Sequence, residues 1–399
     1  MKNLSMAVLA ATVLAMASGA QAEPKYDPGA SDTEIRIGQT IAYSGPASVI
    51  SALGRTQVGY FKALNAKGGI NGRRVTLLSE DDGYNPPKTV EMVRKLVERD
   101  EVLAIMGSNG TATNLAVRDY LKAQDIPQLW LICGCPIDAK DYPGVTVSTQ
   151  DYVTEGELFA KYILETNPSG TIAILEQNDD YGQELVRGLR NGLGDKADEM
   201  IVGKQTYDRA DPTVDSQMSQ LAATDADFFF SASYGKFAAQ AIRFVGSKSN
   251  WNPVQLLVYG ASGVPLQMEG ETDLAKGIVG VTFFKNPADP SYDDDEDMKT
   301  YKAFLKEWVP EVSESDPLGV NGYISASLTH YTLEKAGDNL TRENLIKVAS
   351  NFNDLTMPML LPGVTLSMSP DDYQTYKAGR IQVFNGTNWV VQDGALSVN

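Results

Sequence analysis

Two glycine turns carry side chains whose types and spacing could do chemistry. Gly107-Ser108-Asn109-Gly110-Thr111 follows the apolar run Val102 to Met106, and Cys133-Gly134-Cys135-Pro136 follows Gln128 to Ile132. Both runs read as buried strands, so the turns fall at strand carboxyl ends, where open parallel α/β sheets bind their ligands. Their glycines permit close approach by a bound group, which a turn alone would not require at both places. The residues suit holding a molecule better than transforming one. The Gly107 turn lacks the lysine of a phosphate-binding loop. Gly260-Ala261-Ser262-Gly263-Val264 fails the G-x-S-x-G pattern at its last position. A Ser-His-Asp hydrolase would take its base from His330 alone, and that residue sits inside the helical pattern Ser327 to Leu333.

The only cysteines, Cys133 and Cys135, are one residue apart. A bridge over so short a loop would be strained, because Cα separation and Cβ direction must both suit it. Reduced thiols, reactive thiols and a strained disulfide all stay open. Two sulfurs and one distant histidine do not make a metal site, so neither metal nor cofactor is expected. The acidic run Asp293 to Asp297 lacks the glycine and spaced ligands of a calcium loop and reads as a solvated surface run before a helix.

The elements that must position these turns alternate almost from end to end, which is the pattern of parallel sheets with crossover helices. Ile35, Ile37 and Ile41 share a strand face, and Leu53, Val58, Phe61 and Leu64 follow at helical spacing until Lys67-Gly68-Gly69 stops the helix. A strand at Val75 to Leu78 precedes a helix opened by Pro86-Pro87. A second series begins near residue 150, with strands at Ile172 to Leu175, Met200 to Gly203, Phe228 to Ser231, Gln255 to Tyr259 and Ile278 to Phe283. Helices Met298 to Trp308 and Asn321 to Lys335 come late, without strands of comparable strength, and complete the first lobe in this reading. The chain ends in a hairpin, Arg380 to Phe384 and Trp389 to Val391, whose Asn385-Gly386 predicts a type I′ turn.

Basic Lys2, the apolar run Met6 to Ala17 and the A-x-A triplet Ala20-Gln21-Ala22 predict a signal peptide over residues 1–22, cleaved after Ala22. No later stretch offers the ~20 apolar residues of a membrane span, so no stable membrane insertion is expected. The mature length exceeds the ~250–300 residues at which one core stops growing, so two lobes are expected. Asp plus Glu number 51 against 34 Lys plus Arg, a net charge of −17 that makes nucleic acid a poor partner.

A set of ordered motifs narrows this reading. They are Ile37-Gly38 through Tyr43-Ser44-Gly45-Pro46, Asn65 to Gly72, Asp81-Asp82-Gly83-Tyr84-Asn85-Pro86, Gly107 to Asn114, Asn178-Asp179-Asp180-Tyr181-Gly182 and Asp211-Pro212-Thr213. Through them the chain resembles the leucine/isoleucine/valine-binding protein family, the type I periplasmic binding proteins. The resemblance implies an α/β fold of two Rossmann-like lobes joined by a three-crossing hinge. Crossings are expected near Gln150, Phe284 and Gly363, giving lobe 1 as 23–150 plus 285–362 and lobe 2 as 151–284 plus 363–399. It further implies a non-catalytic periplasmic solute-binding component of an ABC importer that delivers its ligand to an inner-membrane permease/ATPase complex. A receptor of the same fold feeding a signalling partner is the alternative, and a hydrolase ranks behind both.

By the same resemblance, a ligand carboxylate faces the turns Asn109, Gly110, Thr111 and Cys133, Gly134, Cys135, where N–H groups and hydroxyls suit an anion. Pro136 stands where many relatives have threonine, which removes one N–H and one hydroxyl. Tyr181 and Tyr234 match positions that bring aromatics across the cleft, and Tyr152 follows the first crossing. Ser51 and Leu53 fall near the side-chain pocket. Amino-acid-binding relatives place an acid near Tyr259-Gly260-Ala261-Ser262 to pair with the ligand ammonium; this chain has none there, leaving Asp151 or Asp179 as substitutes. The ligand is thus an amino acid or an aromatic or aliphatic acid.

Overall fold

The computed structural model describes residues 24–45, 47–248 and 250–397, so the expected signal segment lies outside the described residues, as does Pro46. Short β1 (Lys25–Tyr26) leads into β2 (Glu34–Ile41), α1 (Ser51–Ala66), β3 (Arg74–Asp81), α2 (Pro86–Arg94), β4 (Ile105–Met106), α3 (Thr111–Ala123), β5 (Gln128–Leu131) and β6 (Val145–Val147). These give a five-stranded parallel sheet of order β3-β2-β4-β5-β6. The second series is α4 (Tyr152–Thr166), β7 (Ile172–Gln177), α5 (Asp180–Leu193), α6 (Ala197–Met200), β8 (Ile201–Tyr207), α7 (Asp215–Ala222), β9 (Phe228–Ala232), α8 (Gly235–Arg243), β10 (Val254–Leu257), α9 (Val264–Gln267) and β11 (Val279–Thr282). There follow α10 (Glu296–Trp308), α11 (Pro317–Ala336), β12 (Asn339–Leu340), α12 (Arg342–Ala349), the pair β13 (Phe352–Leu355) and β14 (Leu366–Met368), then β15 (Ala378–Phe384) and β16 (Trp389–Ser397). The second sheet runs β16-β15-β11-β10-β9-β7-β8, parallel except for the two terminal strands.

Strand periodicity explains the layering. Ile172, Ile174, Phe228 and Phe230 face the layer built by α4 and α5, whereas Ala173, Leu175 and Phe229 face the layer of α7 and α8. Such strands are apolar on both faces because helices cover both sides of a parallel sheet. Local signals set the helix ends. Asn85 Oδ1 accepts from Lys88 N–H at 3.1 Å ahead of Pro86-Pro87, and the Gly68 backbone at φ 104° follows the end of α1.

The chain passes between the two cores three times. Val147 to Tyr152 is the first passage, Thr282 to Phe283 the second, and Tyr376 to Ala378 the third. The last lies later than Gly363. Val364, Leu366, Met368, Tyr373 and Tyr376 all join the first core, and Tyr376 Oη donates to Ser148 O at 3.0 Å. Pairing of β13 with β14 folds this stretch back, and neither short strand has a sequence signal strong enough to predict it. The late helices α10 and α11 pack with α1, sharing Phe61, Tyr301, Leu305 and Ile324 in the first core.

The terminal hairpin is real but its turn differs from type I′. Phe384 pairs with Trp389 across a four-residue loop, and Asn385 Oδ1 accepts from both Thr387 and Asn388 N–H at 2.8 Å. The carboxamide thus makes a wider turn stable, and only Gly386 takes a positive φ, 101°.

Candidate functional site

The two glycine turns are stitched together inside the first lobe. Asn109 Nδ2 donates to Ile132 O at 2.9 Å, the Gly110 N–H reaches the same carbonyl at 3.3 Å, and the Asn109 N–H reaches Thr40 O at 3.3 Å. These donors, expected to face an anion, are occupied within the lobe. Behind them Trp130 adopts φ 55° within a register shift of β5 against β6, and its Nε1 donates to Thr332 Oγ1 at 2.8 Å. A bulky residue in the left-handed region costs energy, and it holds the strand end that becomes the second turn.

That turn contains a disulfide between Cys133 and Cys135, with Cα atoms 5.1 Å apart, inside the usual span for such a bond. The open question over the thiols is resolved in favour of the bridge. Closing a three-residue loop constrains little chain, so reduction should lower stability by only ~1.5 kcal/mol. Denaturant midpoints with and without reductant check this; an unchanged midpoint would remove any structural role for the bond.

From the second lobe three tyrosines arrive in series. Tyr152 opens α4 behind the N-cap Asp151, whose carboxylate accepts from Thr154 N–H at 2.9 Å and Thr154 Oγ1 at 2.6 Å. The Tyr152 hydroxyl lies 2.9 Å from Thr111 Oγ1, and its N–H donates to Gly134 O at 3.2 Å, so this one residue meets both turns. A methyl group on Gly134 would stand 2.4 Å from the Tyr152 ring, which is why glycine is needed here. Tyr181 opens α5, with its ring 5.0 Å edge-on from that of Tyr152 and 6.2 Å from that of Tyr234. Its hydroxyl donates to Ser233 O at 3.2 Å. Burial raises all three phenols above their ordinary range, so they stay protonated as hydrogen-bonding groups. Of the nine residues singled out in the sequence, Thr111 and Gly134 contact Tyr152, and Tyr181 and Tyr234 follow it in the ring series, whereas Cys133 and Cys135 pack with Leu131, Val145 and Val147 of the first lobe.

The helices that carry Tyr152 and Tyr181 approach at backbone distance. A Cβ on Gly156 would lie 2.4 Å from Leu185 O, one on Gly188 2.1 Å from Val153 O, and one on Gly192 2.5 Å from Ala160 Cβ. This glycine seam is what brings the two rings together.

Five further residues complete the cluster. Tyr84, at φ 57° in the turn after β3, lies under the Arg209 guanidinium at 4.9 Å and beside Gly110, where an added Cβ would stand 2.6 Å from its ring. Arg209 also pairs with Asp179 at 2.8 Å, while Asp179 caps α5 through the Tyr181 N–H at 3.1 Å. Both substitutes named for an ammonium partner, Asp151 and Asp179, are therefore engaged in capping. Instead Glu155, buried one turn into α4, accepts from the Tyr259 N–H, within the segment that lacked an acid of its own. Tyr259 Oη donates to Asn321 Oδ1 at 2.5 Å, a second link between the lobes. Tyr84 belongs to the Asp81–Pro86 motif, which was the available signal for it; Glu155, Arg209 and Asn321 stand in ordinary helix or loop contexts. His330 accompanies Tyr60, 3.0 Å from its hydroxyl.

Two α/β lobes thus meet through polar turns and aromatic side chains. A model described as periplasmic binding protein matches residues 34–388, and the chain belongs to that family, in its type I leucine/isoleucine/valine-binding branch. The Leu/Ile/Val-binding protein of Escherichia coli strain K12 is 25% identical over 181 residues, 45% of this chain and 49% of that protein. The chain thus spans about half the length of such curated relatives. A branched chain amino acid ABC transporter structure from Thermus thermophilus with bound valine superposes with TM-score 0.78 at 16% identity, covering 92% of this chain and 97% of that one. A solute binding protein from R. palustris in complex with benzoate gives TM-score 0.74 at 16% identity, over 92% and 98%. Those two likenesses show the fold.

Proposed function

We propose that this chain is the periplasmic solute receptor of an ABC importer, closing its two lobes around a small carboxylate-bearing molecule and presenting it to an inner-membrane permease/ATPase complex. The observation that carries this reading is Tyr152, which reaches both glycine turns from the opposite lobe. A solute between Thr111, Gly134 and the tyrosine series would bridge the lobes and favour the closed arrangement, since it gains contacts there that the open form does not offer. The α3 N-terminus at Thr111 supplies partial positive charge for a carboxylate, with Tyr84 and Arg209 at the same end. The valine and benzoate in the two solved relatives share a carboxylate, which supports the same class here.

A thermal-shift screen of amino acids, aromatic acids and short aliphatic acids tests it. A ligand that binds only the folded chain at 100-fold its Kd adds about 2.7 kcal/mol, a shift of several degrees. At least one carboxylate should produce this, with compaction in solution scattering. Absence of any shift across the three classes, or a shift without compaction, overturns the proposal.

A further inference from the structure

We propose that the Cys133–Cys135 bridge is a site of thiol–disulfide exchange that takes a dithiol as its reductant and releases Cys135 as the leaving thiolate beside Arg118. The bridge joins residues only two apart, so it restrains little chain and is poorly placed to act as a staple. Its surroundings are uneven. On one side the two cysteines pack with Leu131, Val145 and Val147. On the other, Cys135 lines a cavity of about 10 Å³ together with Arg118, Asn114, Gln128 and Pro136. Two polar atoms of these residues, Arg118 Nε and Gln128 Oε1, are buried without a hydrogen-bond partner among the described residues. Buried donors of this kind are uncommon and call for an explanation. The rest of the guanidinium is held in place: Arg118 Nη1 donates to Pro136 O at 3.3 Å, and Cζ lies 4.0 Å over the Tyr142 ring. Cys133 has a neutral neighbour instead, Asn114 Nδ2 at 4.0 Å, which donates to Gly110 O at 2.7 Å.

A cation beside one sulfur sets the direction of exchange, because a stabilised thiolate leaves faster. The attacking thiolate bonds to Cys133 Sγ, the Cys133–Cys135 bond breaks, and its electron pair stays on Cys135. In this mixed disulfide Cys135 remains two residues from the sulfur it has just left, so it expels a monothiol and recloses the bridge. A dithiol escapes that return. Its second sulfur attacks the first, frees Cys133 and departs as a cyclic disulfide, having passed two electrons and two protons to the chain. Cys133 is 5% exposed and Cys135 3%, and the Tyr152 ring covers Gly134 between them. Access therefore comes when the lobes part, and this step rests on the solute-receptor reading; the unequal roles of the two sulfurs do not.

The oxidised, folded protein without denaturant provides the test. Dithiothreitol should reduce the bridge, with thiols counted by iodoacetamide labelling. Glutathione should leave most chains oxidised, and an iodoacetamide quench should catch the mixed disulfide with glutathione on Cys133 and the label on Cys135, at least about fivefold over the reverse by peptide mass spectrometry. That ratio is read on the wild type. Arg118→Met should slow reduction by dithiothreitol about tenfold and even out the trapped pair, whereas Arg118→Lys, which keeps the charge, should restore most of both. Glutathione caught equally on the two sulfurs of the wild type, or an Arg118→Met rate equal to that of the wild type, overturns the proposal. So does a bridge that yields to dithiothreitol only once urea unfolds the chain. If such a protein still compacts in scattering with one of the screened acids, the solute-receptor reading stands; resistance without compaction counts against both.

Discussion

Gly188→Ala should destabilise the protein by roughly 2–3 kcal/mol, although alanine is the better helix former. Helix propensity alone favours the substitution by about 1 kcal/mol, so propensity and packing predict opposite signs. Packing wins because the new methyl would sit 2.1 Å from Val153 O, a backbone atom of α4 that no rotamer change can move. To relieve it, α4 and α5 must separate, and with them Tyr152 and Tyr181, whose rings now lie 5.0 Å apart. Solute affinity should therefore fall along with the urea midpoint. Gly194→Ala provides the control: that residue has φ 57° but nothing within 4 Å of the added atom, so it should bear backbone strain alone. A Gly188→Ala protein as stable as the wild type would show that the helices do not touch as described.

The second large effect is on pH dependence. With its carboxyl raised to about 8 against an unfolded value near 4.5, Glu155 binds its proton more tightly in the folded chain. Its contribution is fully present below about pH 4.5 and is lost as pH rises through 8, the sign expected when the native state holds more protons. Glu155→Gln removes this slope. The stability of the variant relative to wild type should rise by as much as about 4–5 kcal/mol between pH 4.5 and pH 8, at about 1.4 kcal/mol per pKa unit. Denaturant titrations of the two proteins at pH 5, 6.5 and 8 measure the difference, and parallel curves would place the carboxyl in contact with water. Asp151, also raised by burial, repels the Glu155 carboxylate, so part of the measured difference belongs to the pair.

The alternation of apolar strands and amphipathic helices was legible because burial on both sheet faces leaves continuous apolar runs such as Phe228-Phe229-Phe230. The turns at Gly107 and Gly134 were legible for a similar reason, since they interrupt those runs at strand ends. Glu155 was not. It occupies an ordinary helical position, and its partner Tyr259 is 104 residues away, so no local spacing announces the pair. Nor does the glycine seam show itself, because Gly156, Gly188 and Gly192 inside helices look like weak points until a second helix lies against them. Asn109 was misjudged in detail: its type suggested an open donor, yet the neighbouring strand end takes its amide. The resemblance placed the third passage too early because the β13 and β14 segments are too short to register as strands.

Those three passages also order events during synthesis. The first core draws on Ile35 near one end of the chain and Tyr376 near the other, and the second needs Leu396. Protein domains ordinarily fold one after another as the ribosome extends them. Here neither core is complete until Tyr376 and Leu396 are in place, so the two lobes depend on each other's late segments.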